Sequence, residues 1–350
     1  MRRILALMLL FCLLFLSGCA PEKQLTRYTH TFYDTFDTVV IFVGYAESEE
    51  TFNKAAELCE SEFRRYHNMF NAYRHASDTA NIWYLNENAW KQPVQVHPDT
   101  MELLLFCKEQ AAVSNTVNPA MGRVLRLWHN AREDAESDPF NASIPDLQKL
   151  QEAALHTSLD DLVLDEQAMT VWYDDTLLRL DLGAVAKGYA AGKVAEQIAK
   201  IMPVFSINAG GNIVMGNSYR QEGWKVGIQN PNAALFISDN PYLCTLKAEN
   251  CSIVTSGDYQ RYFYADGKAW HHLIDPETLM PAEYYRAVTI VAPTSALADW
   301  YSTAVFLLPY EESRALVESA EGVEALWLFA DGTMQTTQGF EAMIVEETKE

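Results

Sequence analysis

The chain has 350 residues and a formal net charge of −21, from 47 acidic and 26 basic side chains. A surface this acidic repels nucleic-acid phosphates and anionic lipid headgroups, which argues against proteins that bind either one through a basic patch. None of the six cysteines stands in a CxxC pair, which argues against a zinc site.

Residues 1–18 predict a lipoprotein signal. Two arginines precede an apolar run from Ile4 to Leu16, which is too short for a settled membrane span. The run ends in the letters LSGC, which resemble a bacterial lipoprotein cleavage site and imply lipid attachment to Cys19. An uncleaved N-terminal anchor helix is the alternative.

The rest of the chain is expected at the extracytoplasmic face of the cell membrane, held there by the lipid on Cys19. Residues 19–28 would be a tether. Residues 29–350 would form one domain, because no Pro-, Gly- or Ser-rich linker divides them.

The first half of this domain predicts several helices, with a strand before them and a meander after them. A strand is expected over Thr38–Val43, and Glu50–Tyr66 has the apolar periodicity of an amphipathic helix. Asp99 or Thr100 would cap a second helix that ends near Val113, and DLQKLQEAALHTS predicts a third. The segments DLVLDEQAMTVWY and TLLRLDLG are expected to form a meander.

The second half is richer in strands. A helix is predicted over Gly183–Met202, and PVFSINAGGNIVMG then reads as strand, glycine turn and strand. Further strands follow, and Thr294–Leu308 predicts a buried helix before a closing hairpin in EALWLFADGTMQTTQGF. Adjacent strands with helices between them indicate an α+β fold of mostly antiparallel sheet and packed helices.

The cysteines of the domain fall into two pairs. Cys59 and Cys107 lie on apolar helix faces and are expected to be core thiols. Cys244 and Cys251 flank TLKAEN, which would be a hairpin that makes them cross-strand neighbours. Whether a disulfide joins them stays open at this point.

Two segments have the chemistry to receive an anion. In INAGGNI, Asn208, Gly210 and Gly211 follow a strand, and adjacent glycines let backbone amides approach an anion. In LDLGAVAKGYAAG, a strand that ends at Asp181 leads into a helix whose free N–H groups and Lys187 suit phosphate. A tight hairpin turn and an ordinary strand-to-helix connection are the alternatives.

Two further segments carry candidate catalytic or metal-binding groups. His271 and His272 lie near SGD and DP turns, although a buried histidine is often structural. Asp299, Ser302 and Thr303 stand at i, i+3 and i+4 on one helical face, and such hard oxygens select Mg²⁺ or Ca²⁺. The alternative is that the two hydroxyls bond to carbonyls one turn earlier.

Taken together, these segments resemble the FAD:protein FMN transferases, the ApbE-type flavin transferase family. The matching segments are FDTVV, NTVNPAMGRVLRLWH, LDLGAVAKGYAAG, INAGGNI, VTSGDYQRY, HHLIDPETLMP and ALADWYSTA. The resemblance implies an ApbE-like (T-fold-like) architecture and a lipid-anchored transferase that uses FAD and Mg²⁺. Such an enzyme splits FAD, attaches FMN through a phosphoester to a threonine or serine of a target protein, and releases AMP.

The resemblance also implies roles for particular residues. The carbonyl of Ala184 with Asp299, Ser302 and Thr303 would hold the metal, and His272 would be the base for the acceptor hydroxyl. The cofactor-binding residues would be Asp181, Lys187, Asn208, Gly210, Gly211, Thr116, Val117, Asn118, Phe36, Ser256 and Ile274.

The chain departs from the family pattern in three places. The tripeptide from Phe36 to Thr38 stands where Met-Gly-Thr is usual, and Asn118 replaces a frequent aspartate. Leu279 replaces the glycine of DPxTG, so this turn is expected to adopt another geometry.

Partners and alternative functions follow from the same resemblance. The acceptor would be a subunit of a membrane redox complex or an extracytoplasmic FMN-binding protein, and no nucleic acid is expected. Two other functions fit the same residues. One is a Mg²⁺-dependent FAD pyrophosphatase that gives FMN and AMP, and the other is a non-catalytic FAD-binding lipoprotein.

Overall fold

Strands make up the centre of the molecule. The computed structural model describes residues 24–76, 80–219, 223–233 and 241–345. Within them the strands are β1 (Thr26–Thr35), β2 (Thr38–Ala46), β3 (Val94–Gln95), β4 (Leu162–Asp165), β5 (Thr170–Tyr173), β6 (Phe205–Ala209), β7 (Asn212–Met215), β8 (Trp224–Gln229), β9 (Tyr242–Ala248), β10 (Ser252–Gly257), β11 (Tyr262–Ala265), β12 (Lys268–His271), β13 (Ala287–Ala292), β14 (Glu324–Leu328) and β15 (Met334–Thr336).

Helices pack around these strands. They are α1 (Glu49–Phe70), α2 (Ile82–Asn88), α3 (Pro98–Val113), α4 (Gly122–Ser137), α5 (Leu147–Ala154), α6 (Ala186–Ala199), α7 (Ser295–Phe306), α8 (Tyr310–Glu318) and α9 (Gln338–Met343). None of the helices in the described ranges combines the length and apolarity needed to cross a bilayer.

The main sheet has eight strands in the order β1-β2-β6-β7-β10-β13-β14-β15, and every neighbouring pair is antiparallel. This arrangement confirms the predicted α+β fold with mostly antiparallel sheet. Val40 pairs with Ala209 and Asn212 pairs with Val254. The β1–β2 turn, the β6–β7 turn and the end of β10 therefore meet at one end of the sheet.

One face of the sheet is covered by α1, α6 and α7. Helix α1 begins where the Ser48 hydroxyl accepts the Thr51 N–H, which satisfies one free donor of the first turn. Its apolar face is buried as the periodicity predicted, through Phe52, Ala55, Ala56, Cys59, Phe63 and Tyr66. Burial of this face anchors α1 to β1 and β2.

On the opposite face of the sheet, strands β7, β10, β13 and β14 are covered. The β8–β9 hairpin and α9 supply the cover, and their buried side chains include Ile228, Leu246 and Phe340. A separate cluster of buried apolar side chains, which includes Trp128 and Phe263, joins α4 and α5 to the β11–β12 hairpin.

The second predicted helix begins two residues earlier than a cap at Asp99 would place it, and the predicted cap was wrong. Its N-cap is His97, whose Nδ1 accepts the Asp99 N–H at 3.1 Å, and Pro98 takes the first helical position. Proline suits that position because its missing N–H would have had no partner there.

The predicted meander was wrong in its last strand. The segment TLLRLDLG contributes a single bridge, between Arg179 and Met121, and the third strand of that sheet is β3, which pairs with β5. Asp181 therefore lies in a connection rather than at a strand end. Helix α6 begins at Ala186, three residues later than predicted.

The predicted hairpin between Cys244 and Cys251 was also wrong. Thr245 to Ala248 continue β9, and Cys244 stands opposite Ile228 of β8. Both cysteines are free thiols, as are the buried Cys59 and Cys107, whose prediction as core thiols is confirmed.

Strand β1 was not predicted, and its first three residues were assigned to the tether over residues 19–28. It begins at Thr26 and forms the edge of the main sheet. The signal over residues 1–18 and the lipidation site Cys19 lie outside the described residues.

Candidate active site

A cavity of about 1010 Å³ opens at the end of the sheet where the β1–β2 turn, the β6–β7 turn and the end of β10 meet. Helices α4, α6 and α7 and the segments around β11 and β12 complete its wall. The sequence-predicted residues that line it are Phe36, Thr116, Val117, Asn118, Asp181, Ala184, Lys187, Asn208, Gly210, Gly211, Ser256, His272, Ile274, Asp299 and Thr303. Segments that are far apart in the sequence therefore share one cavity.

The β6–β7 turn requires glycine at the wall of the cavity. Gly210 and Gly211 have φ of +59° and +88°, and a Cβ on Gly210 would lie 2.0 Å from Thr38 Oγ1. The side chain of Asn208 accepts the Gly211 N–H at 3.0 Å, which closes the turn. The two turns therefore pack against each other, and any side chain at Gly210 would force them apart.

Helices α6 and α7 cross next to a buried carboxylate. Oδ2 of Asp299 accepts the Gly188 N–H at 2.7 Å, while Oδ1 lies 4.0 Å from the Lys187 ammonium. Burial raises the pKa of Asp299 and lowers that of Lys187, and their mutual attraction opposes both shifts. A carboxylate in this position favours a cation nearby.

The three oxygens predicted to share a helical face do not share one environment. Asp299 and Thr303 line the cavity, but Ser302 is fully buried behind the wall. The Ser302 hydroxyl donates to the Asp299 carbonyl at 2.9 Å and lies 2.9 Å from Ser256 Oγ. The structure thus places Ser302 in hydrogen bonds that hold α7 to β10.

The two adjacent histidines have different environments. Nε2 of His271 donates to the Ala282 carbonyl at 2.8 Å and Nδ1 accepts the Leu273 N–H at 3.2 Å, so His271 is structural. The ring of His272 is exposed to the cavity, and its Nδ1 donates to the Arg261 carbonyl at 3.2 Å. A carbonyl only accepts, so Nε2 of His272 carries the free lone pair.

The surroundings of His272 favour the neutral form of its ring. Desolvation and the positive charge of Arg261 lower its pKa below the usual histidine value. A neutral imidazole with an unprotonated Nε2 is able to take a proton from a hydroxyl group placed against it.

The family model described as the ApbE family matches residues 26–327. This chain belongs to the ApbE family. A Treponema pallidum (strain Nichols) protein named FAD:protein FMN transferase is 33% identical over 281 residues, which cover 75% of this chain and 74% of the relative. A Klebsiella pneumoniae (strain 342) protein of the same name is 28% identical over 293 residues, which cover 81% and 84%.

Solved structures of the ApbE family share this fold. The ApbE protein of Thermotoga maritima superposes with a TM-score of 0.78 at 25% identity, over 92% of this chain and 100% of that one. The apo flavinyl transferase ApbE of Pseudomonas stutzeri reaches 0.73 at 20% identity, over 91% and 96%, which shows the fold alone. The predicted ApbE-like architecture is confirmed.

Sequence reasoning missed several aromatic and charged residues of this ApbE-family cavity. The N-cap of α4, Met121, lines the cavity together with one stripe of that helix, which consists of Leu125, Trp128, His129 and Arg132. The spacing of Leu125, Trp128 and His129 was visible in NTVNPAMGRVLRLWH, and Arg132 follows three residues later. The sequence alone does not show what this stripe contacts.

Tyr73 and Arg261 were missed as well. Tyr73 stacks on His129 with ring centroids 4.0 Å apart, and its hydroxyl donates to Asp181 Oδ2 at 2.5 Å. Burial raises the pKa of Tyr73 well above its usual value, so it remains a hydrogen-bond donor to the carboxylate. Asp181 is thus held by Tyr73 at the cavity wall.

Two of the departures from the ApbE pattern have a structural explanation. Leu279 has a φ of +61°, so this turn keeps the left-handed backbone that glycine would favour, and the expectation of another geometry was wrong. Its carbonyl accepts the Trp128 indole N–H at 3.0 Å. The side chain of Asn118 bridges two loops, because it donates to the Thr157 carbonyl and accepts the Ala120 N–H.

Proposed function

We propose that this ApbE-family chain splits FAD at its pyrophosphate, attaches FMN to a threonine or serine hydroxyl of an acceptor protein, and releases AMP. The observation that carries the proposal is the shared cavity. It holds a neutral imidazole at His272, the buried pair of Lys187 and Asp299, and the glycine turn at Gly210 and Gly211. The reaction is the one for which the Treponema pallidum and Klebsiella pneumoniae relatives are named.

The proposed transfer balances with the groups present. The acceptor oxygen attacks the FMN phosphorus, and the bond from this phosphorus to the bridging oxygen breaks, so that AMP leaves. Nε2 of His272 takes the hydroxyl proton. Lys187 offsets the charge of the pyrophosphate, which an acidic protein must do before it binds FAD, and the glycine turn lets the backbone approach the phosphates closely.

The proposed metal is Mg²⁺, and the donor chemistry fits it. In the described part of the chain no group of three or more His, Cys, Asp and Glu side chains is placed to hold a metal. The proposed donors are of another kind: the Asp299 carboxylate, the Thr303 hydroxyl and the Ala184 carbonyl, all hard oxygens. A bound Mg²⁺ would supply positive charge beside the pyrophosphate. Ser302 is proposed to position Asp299 from behind.

The remaining lining residues are proposed to hold the flavin and adenine rings. Phe36, Ile274 and the segment of Thr116, Val117 and Asn118 border the cavity together with Asp181 and Ser256. Their mixture of apolar surface and a few polar groups is typical of cofactor pockets.

We also propose that the chain is a lipoprotein, anchored through Cys19 at the extracytoplasmic face of the cell membrane. Strand β1 begins at Thr26, seven positions after Cys19, so the connecting chain reaches about 25 Å at most. Acceptors would therefore be membrane redox subunits or FMN-binding proteins close to the membrane. Metabolic labelling with palmitate tests this, and Cys19→Ala should abolish the label.

Incubation with FAD, Mg²⁺ and a purified acceptor tests the transferase activity. We expect in-gel flavin fluorescence on the acceptor and AMP in equal amounts. AMP without a labelled acceptor would indicate the pyrophosphatase instead. Tight FAD binding with neither product would indicate a non-catalytic FAD-binding protein.

A further inference from the structure

Arg261 connects three parts of the cavity. It follows β10 and lies on the cavity wall, where its guanidinium donates to the Phe36 carbonyl at 2.6 Å. Phe36 has a φ of +51° and its N–H donates to His67 Nδ1, so the β1–β2 turn is held from both sides. That turn carries Thr38, which packs against the glycine turn.

The main chain of Arg261 fixes the proposed base. Its carbonyl accepts the Nδ1 proton of His272 at 3.2 Å, which orients the imidazole and selects the tautomer with a free Nε2. One residue thus places a cation beside the β1–β2 turn and holds His272 through its backbone. The two groups are thereby kept at a fixed separation.

The charge of Arg261 is not neutralised by a close partner. No carboxylate in the described ranges forms an ion pair with its guanidinium, and Asp37, Asp181 and Asp299 act on it only at longer range. A partly buried guanidinium that still has free N–H donors is a suitable site for phosphate oxygens.

We infer that Arg261 is a catalytic residue whose guanidinium contacts the pyrophosphate of FAD. The Arg261 guanidinium binds the pyrophosphate from the side of the β1–β2 turn. Lys187 supplies a second positive charge from the crossing of α6 and α7. As the bond to the bridging oxygen breaks, negative charge on the leaving AMP increases, and Arg261 stabilises that charge. This inference rests on the proposed function, because it takes FAD as the substrate.

A purely structural role is the alternative, in which Arg261 only clamps the Phe36 turn. Binding of two probes separates the roles, because FAD carries a pyrophosphate and riboflavin carries no phosphate. Loss of a phosphate contact weakens FAD alone. Collapse of the turn would weaken both ligands, since Phe36 lines the cavity that takes the flavin.

The experiment measures the dissociation constants of FAD and riboflavin by flavin fluorescence, for wild type and for Arg261→Gln. We expect the FAD constant to rise by about tenfold or more and the riboflavin constant to stay within about twofold. AMP release at saturating FAD should fall about 100-fold, and Arg261→Lys should recover part of it. Equal weakening of both ligands, or no change in either, would overturn the inference.

Arg179→Gln is the matched control. Arg179 also donates to main-chain carbonyls, those of Thr176 and Leu178, but it does not line the cavity. Its loss should leave both dissociation constants and AMP release unchanged. If the wild type itself forms no AMP, the proposed function fails, whereas the binding comparison still decides the role of Arg261.

Discussion

The Gly188 N–H donates to Asp299 Oδ2 at 2.7 Å, so the first turn of α6 holds a carboxylate from the first turns of α7. The helices approach so closely here that a Cβ on Gly188 would lie 2.4 Å from the Asp299 Cβ. This contact fixes the carboxylate next to Lys187 and at the wall of the cavity.

Gly188→Ala is predicted to destabilise the protein by about 1–3 kcal/mol, because overpacking forces α6 and α7 apart. It should also reduce AMP release by displacing Asp299. Chemical denaturation measures the free energy of unfolding of the variant.

Gly192→Ala in the same helix is the control. A Cβ there meets only Ser295 Cβ, at 3.7 Å. Because alanine favours a helix over glycine, this variant should be as stable as wild type or more stable by about 0.5–1 kcal/mol. Equal destabilisation by both substitutions would contradict the proposed close contact.

Thr303→Val and Ser302→Ala should differ in their effect on turnover. Thr303 lines the cavity, whereas the Ser302 hydroxyl is committed to the Asp299 carbonyl and Ser256. Thr303→Val should lower Mg²⁺-dependent AMP release by more than about tenfold, which is the loss expected when a metal ligand, or a residue that orients one, is removed. Ser302→Ala should instead lower stability by about 1 kcal/mol. A larger loss of turnover in Ser302→Ala would restore Ser302 as a metal ligand.

That difference marks a limit of the sequence argument. Spacing of i, i+3 and i+4 correctly indicated one helical face, but only the packing of β10 against α7 decides which oxygens reach the cavity. The hydrogen bond to Ser256 joins residues 46 positions apart, and no local pattern contains it.

The fold was predictable where the sequence of a single helix or hairpin contains the pattern that identifies it. Helix α1 has a strong apolar stripe, and the β6–β7 hairpin has a glycine pair that favours positive φ. Strand β1 was missed because most of its side chains are exposed, and its burial is confined largely to Phe32 and Thr35. Cys244 and Cys251 were misplaced because the hairpin partner of β9 is β8, which comes before it.

The sequence predicted which segments form the site, but it did not predict how their side chains are arranged in space. The ApbE resemblance brought INAGGNI, the α6 start and α7 together. Arg261 and Tyr73 were missed because their partners, Phe36 and Asp181, are 225 and 108 positions away.

His272→Gln is predicted to slow FMN transfer by about 100-fold or more, which is the range for loss of a general base. The side chain does not hold the core, so the FAD dissociation constant should stay within about twofold. Single-turnover kinetics separate the two quantities. An unchanged transfer rate would remove His272 as the base.

The stability of the protein should fall as the solution is made acidic, and His271 should account for part of this. Burial lowers the pKa of His271, so the unfolded chain takes up a proton at about pH 6.5 while the folded chain does not. The stability contributed by the neutral ring is present above that pH and is lost as the pH falls below it.

Thermal unfolding at about pH 7.5 and pH 5.5, on either side of the histidine pKa, measures this effect. We expect a smaller decrease in Tm for His271→Gln than for wild type, since the variant takes up one proton fewer on unfolding. Identical decreases in both proteins would show that protonation of His271 does not contribute.

Transfer in water labelled with heavy oxygen tests the central claim most directly. If the acceptor hydroxyl is the nucleophile, the FMN–acceptor ester and AMP form in equal amounts and neither contains heavy oxygen by mass spectrometry. Heavy oxygen in FMN or AMP, with the acceptor unmodified, would show that water attacks the pyrophosphate and would contradict FMN transfer.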